Sequence, residues 1–105
     1  MIESQFKHKL LNRLSEMFPG CIVLRVDPLF QQGFPDLLIL WRDNWAALEV
    51  KNSEFAAVQP NQLFFIETLN DMSFAAFIFP ENEEEVLDAL QQAFKPPRRT
   101  RVFES

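Results

Sequence analysis

The sequence predicts an α/β domain of order αβββαβα, with helices packed around a mixed sheet. Three observations carry that reading. Apolar residues recur at four-residue spacing near the N-terminus, and three short apolar or β-branched runs follow one another between residues 21 and 51. Then come a helical pattern, a fourth short run and a last helical pattern, separated by turn residues.

In residues 2–18, Ile2, Phe6, Leu10, Leu14 and Phe18 form a stripe that Leu11 and Met17 widen, so an amphipathic helix is expected, ending at Pro19-Gly20. CIVLRV at 21–26 is short and β-branched, hence a strand, and DPLFQQGFP is a loop with two prolines and a glycine. DLLILW at 36–41 is apolar throughout, as a buried strand is, and WAALEVK at 45–51 alternates. In that third strand Trp45, Ala47, Glu49 and Lys51 share one face and Leu48 and Val50 the other. Pro60 opens a second helix, because a first turn tolerates proline, with Leu63, Phe65, Ile66, Leu69 and Met72 on its apolar side. SFAAFIF at 73–79 is a fourth strand. Asn82 with Glu85 three residues on predicts a capping box before Val86, Leu87, Leu90 and Phe94, and Pro96-Pro97 ends that helix. Residues 1–95 are expected to form the domain and 96–105 a basic tail.

Composition bounds the function. The chain has 105 residues, 48% hydrophobic, with 15 acids against 10 bases for a net charge of −5. That is enough apolar residue for one core and too much for a disordered segment. No apolar run approaches a membrane span and MIESQFKHKL lacks a signal-peptide core, so a cytoplasmic protein with no membrane partner is expected. The single Cys21 excludes an internal disulfide, and with the single His8 it excludes Cys- or His-clustered zinc. Any metal must be held by oxygen. Two glycines do not make a phosphate-cradling loop. His8 falls on the polar side of the first helix and Cys21 among apolar neighbours, so neither reads as a base or a nucleophile.

The informative polar residues are those that interrupt an apolar pattern. Glu3 lies within the stripe of the first helix, and Gln62 shares a face with Phe65, Ile66 and Leu69. Asp36 opens the most apolar strand behind the Gly33-Phe34-Pro35 bend, while Glu49 and Lys51 sit two apart in the next. Register decides whether they meet. A two-residue turn at Asp43-Asn44 sets Asp36 opposite Lys51; a four-residue turn sets Asp36 opposite Glu49; either keeps all three on one side of the sheet. A three-residue loop turns Asp36 away unless a bulge compensates.

Gly33-Phe34-Pro35-Asp36, twelve residues, then Glu49-Val50-Lys51 resembles the PD-(D/E)XK nuclease superfamily. With Glu3 in the first helix and Gln59-Pro60-Asn61-Gln62 opening a later one, the chain is similar to the small virus-type replication-repair nuclease domain, VRR-NUC, over about residues 3–80. The resemblance implies a restriction-endonuclease-like αβββαβ core with a further C-terminal helix. It implies a Mg²⁺- or Mn²⁺-dependent endodeoxyribonuclease of phage or bacterial replication and repair, acting on branched DNA such as Holliday junctions and on no small-molecule substrate. Asp36 and Glu49 would ligate the metal with the Val50 carbonyl, and Lys51 would orient or deprotonate the attacking water. Glu3 would bind metal through water or hold a second ion, and Gln62 would position Lys51 or the phosphate.

Hydrolysis of a phosphodiester needs a cation beside its oxygens and an activated water, and hard dications choose carboxylate and carbonyl oxygen. An acidic chain approaches DNA through local positive charge, here Lys7, Lys9 and Arg13 on the first helix and Lys95, Arg98, Arg99 and Arg101 in the tail. Of twelve phenylalanines, Phe30, Phe34, Phe55, Phe64 and Phe103 lie off the core stripes, which suits a homodimer. The alternative is a catalytically silent acidic interaction domain that binds a basic partner, with Asp36 and Glu49 as surface charges.

Overall fold

The computed structural model describes residues 2–94, in the expected order: α1 (Glu3–Met17), β1 (Ile22–Arg25), β2 (Leu37–Trp41), β3 (Asn44–Val50), α2 (Pro60–Met72), β4 (Phe74–Ile78) and α3 (Glu83–Phe94). These form a small α/β fold in which three helices flank a four-stranded mixed sheet. The strands lie in sequence order, β1, β2 and β3 antiparallel and β4 parallel to β3. The antiparallel β2–β3 pair follows from its two-residue turn and β1 reaches β2 through the loop 26–36, whereas the parallel β3–β4 pair requires the α2 crossover.

Alternation in β3 divides the core. Ala46, Leu48 and Val50 join Leu37 and Ile39 against Phe6, Leu10 and Leu14 of α1 and Val86, Leu87, Leu90 and Phe94 of α3. On the other face Ala47 and Ala75 meet Ile66 of α2, with Leu38, Leu69 and Phe77 at the margin. Small side chains make this second layer thin. Consequently α2 buries only Ile66, and Leu63, Phe64 and Met72, two of which were expected on its apolar side, are exposed.

The β2–β3 turn is shifted. It consists of Arg42 and Asp43, with Trp41 opposite Asn44, where Asp43-Asn44 was expected. The Asn44 amide donates to the Phe94 carbonyl and so keeps Asn44 in the strand, while Arg42 adopts φ 58° with its guanidinium 4.2 Å from the Trp41 ring centroid. Phe18, Trp41 and Phe94 pack at this end, and the Trp41 indole donates to the Pro19 carbonyl. The expected capping box at α3 is a second correction. The Asn82 side chain turns backward, accepting from Phe79 N and donating to Phe77 O, which ties the helix start to the end of β4.

Cys21 is half-buried, with burial raising its thiol pKa, and His8 is exposed. Phe30 and Phe55 are exposed, but Phe34 packs edge-on against Phe65 at 5.4 Å, so it lies within the fold. Phe103 and the tail bases Lys95, Arg98, Arg99 and Arg101 lie outside the described residues, as does Pro96-Pro97. Among the described residues no helix is long and apolar enough to cross a membrane.

Candidate active site

β2 begins and β3 ends at the same edge of the sheet, and the polar residues gather there. Leu37 pairs with Leu48. Continued by one residue, this register sets Asp36 opposite Glu49, the pairing expected from a four-residue turn although the turn has two. One residue further, Pro35 falls opposite Val50. Proline has no N–H, so it cannot extend the ladder to the Val50 carbonyl. The Val50 N–H donates to Asp36 Oδ2 at 2.8 Å. In a strand a residue's N–H and C=O point to the same edge, and Lys51 N is turned the other way, to Ile78 O. The Val50 carbonyl therefore faces the Asp36 side.

The approach to Asp36 is fixed by Gly33. Phe34 N donates to Gln31 O across a turn with Gly33 at φ +87°, a conformation that favours glycine. A Cβ there would lie 2.6 Å from Asn61 Cγ, so the loop rests directly on the first turn of α2. That contact joins the loop carrying Asp36 to the helix carrying Gln62.

Glu49 is 6% exposed and is the one buried charged residue among the described residues. It is no solvent-face charge, which removes one support of the interaction-domain reading. Its Oε2 accepts from Gln62 Nε2 at 3.2 Å, and Gln62 Oε1 accepts from Lys51 Nζ at 2.8 Å and from Gln59 N at 3.0 Å. Flipping this amide would set its NH₂ against two donors, so the network fixes its orientation. Lys51 Nζ also donates to the Ala57 carbonyl at 3.0 Å and lies 3.9 Å from Glu49 Oε2. Burial pushes the Glu49 carboxyl up to about 7, the Asp36 charge adds to the rise, and the Lys51 ammonium opposes it.

Helix α1 borders the site with its first two turns. Glu3 is exposed, and its charge is a further, smaller influence raising the Glu49 pKa. Lys7 Nζ lies 3.8 Å from Asp36 Oδ2. Arg13, further along, is held by Glu84 at 2.6 and 3.0 Å and by Glu83 at 3.2 Å. The structure thus brings Asp36, Glu49, Val50, Lys51 and Gln62 together, sets Glu3 and Lys7 beside them, and holds Arg13 on α3.

No family model, curated protein or solved structure matches the chain. The residues themselves carry the functional argument. Among the described residues no group of three or more His, Cys, Asp or Glu side chains is arranged to hold a metal ion. The oxygen set at this edge is two carboxylates and one main-chain carbonyl, a combination of the kind that Mg²⁺, which retains several waters, accepts.

Sequence reasoning missed three features: the Pro35 position opposite Val50, the Gly33–Asn61 contact and the Lys7–Asp36 pair. A signal existed for the first, since proline directly before Asp36 forbids a ladder bond wherever the register places it. The other two depend on how distant segments pack.

Proposed function

We propose that this chain is a Mg²⁺- or Mn²⁺-dependent endodeoxyribonuclease with a restriction-endonuclease-like core, of the VRR-NUC type in the PD-(D/E)XK superfamily. One observation carries the reading: Asp36 bonded to Val50 N–H beside a buried Glu49 that Gln62 links to Lys51. A structural salt bridge needs no such relay, whereas a hydrolytic site needs paired acids and a positioned amine.

Asp36, Glu49 and the Val50 carbonyl would hold the ion, whose chemistry is to polarise phosphoryl oxygens and acidify water. Lys51, its ammonium directed by Gln62 Oε1 and Ala57 O, would orient the attacking water and balance charge on the phosphate. Glu3 would act at the outer side of the site through water. Phosphates would be met by Lys7, by Arg13 where it leaves its acidic partners, and by the tail bases Lys95, Arg98, Arg99 and Arg101. Branched DNA such as a four-way junction suits a homodimer with paired sites, and exposed Leu29, Phe30, Phe55 and Phe64 offer apolar surface for its contact.

The test is cleavage of labelled single-stranded, duplex, flap and four-way DNAs with Mg²⁺ or Mn²⁺, alongside Asp36→Ala and Lys51→Met. Metal-dependent cutting by the wild type alone is expected. A folded Asp36→Ala protein cutting at the wild-type rate refutes the assignment, and monomer alone in sedimentation at micromolar concentration refutes the dimer.

A further inference from the structure

The placement of Lys7 has a use distinct from a fixed phosphate contact. Phe6, 2% exposed, locks this turn of α1 onto the sheet, and Lys7 follows it with its side chain about a quarter exposed. Its ammonium faces Asp36 Oδ2 at 3.8 Å and forms no other ion pair among the described residues. That same oxygen accepts the Val50 N–H, so Asp36 is held by a main-chain donor on one side and approached by a movable cation on the other. Glu3, one turn earlier, and Glu49 add negative charge nearby. A flexible ammonium on a four-carbon stem is suited to neutralise such a group and to leave it when a stronger cation arrives.

We propose that Lys7 is the resident counter-ion of Asp36: it neutralises the carboxylate in the metal-free chain and is released toward a substrate phosphate when a divalent metal takes its place. This rests on the metal-dependent reading above. The physical consequence is coupling. Lys7 competes with metal for Asp36, and metal makes Lys7 available to DNA, so metal and DNA favour each other's binding through one side chain.

Two measurements on the full chain test this. In direct Mn²⁺ titration without DNA, Lys7→Met binds Mn²⁺ several-fold more tightly than wild type at low salt, the gap narrowing as salt screens the ammonium. Unchanged or weaker Mn²⁺ binding by Lys7→Met overturns the proposal. In the Lys51→Met background, which blocks cutting, adding Lys7→Met weakens four-way-junction binding when Mn²⁺ is present and alters it little when Mn²⁺ is absent. An equal loss with and without Mn²⁺ makes Lys7 a plain phosphate contact and overturns the handover. The failure of the parent reading looks different: wild type, Lys7→Met and Asp36→Asn all fail to bind Mn²⁺, which removes both.

Discussion

Replacing Glu49 by glutamine tests the electrostatics of the site through stability alone. Glu49 ionises near 4.5 when exposed and at about 7 in the fold, chiefly because burial disfavours its charged form. Between those values the folded chain holds a proton that the unfolded chain has released, so stability falls as pH rises through this window and levels off above about 7. Between pH 5 and pH 8 the loss is at most about 2.5 kcal/mol, which for a domain of this size is a fall of roughly 10 °C or more in the thermal midpoint. Glutamine keeps an oxygen for Gln62 Nε2 and never ionises. Glu49→Gln therefore resembles wild type at pH 5 and exceeds it at pH 8 without metal. Thermal and urea unfolding of both proteins at pH 5, 6, 7 and 8 measures the difference. If Glu49 ligates metal as proposed, saturating Mn²⁺ at pH 8 should reverse the order, since it would stabilise only the chain whose carboxylate binds it. A stability difference that is flat from pH 5 to 8 refutes the account of an acid whose charged form burial disfavours.

Three further substitutions address how the site is held. Gly33→Ala should cost about 2–4 kcal/mol in urea unfolding, because it combines an unfavourable φ with the 2.6 Å approach to Asn61; Gly20→Ala, at φ +85° with nothing within 4 Å, should cost only about 1 kcal/mol, and equal costs would disprove the contact. Gln62→Leu breaks the link between Glu49 and Lys51, so under the proposed nuclease function turnover should fall about 10–100-fold with little change in DNA affinity; undiminished turnover would show the relay to be idle. Pro35→Ala restores an N–H opposite Val50 and, under the proposed metal ligation, should weaken Mn²⁺ binding by calorimetry while leaving the thermal midpoint within a few degrees; unaltered affinity would deny the Val50 carbonyl a part.

The order of elements was legible because periodicity is local: Phe6, Leu10 and Leu14 occupy the face that their spacing predicts, and the alternation of β3 sends Leu48 and Val50 to one layer and Ala47 and Glu49 to the other. Parity made the site legible too. Shifting the turn from Asp43-Asn44 to Arg42-Asp43 changes the partner of Asp36 from Lys51 to Glu49 without turning either residue over. Features set by distant packing were not legible. Asn82 reads as a cap until Phe77 and Phe79 are placed behind it, and Leu63 and Met72 read as core until the opposing sheet face proves to be lined by Ala47 and Ala75.

The two acids are oriented by different means, and this bears on why the site sits where the ladder stops. Pro35 has no N–H to give the Val50 carbonyl, and the Val50 N–H meets the Asp36 carboxylate, whose direction is thereby tied to the backbone of β3. Glu49 is aimed by an amide on α2, across a loop that also holds Lys51 through Ala57. The two carboxylates repel, and Glu49 is buried at a cost that the Lys51 ammonium only partly offsets. A fold selected for stability alone would place an apolar residue at position 49, in line with Ala47 on the same face. Retaining an acid there, with its partners already oriented, lowers the reorganisation needed when a positive charge enters and leaves the unliganded fold less stable, which is the arrangement expected where binding rather than folding has shaped the end of a sheet.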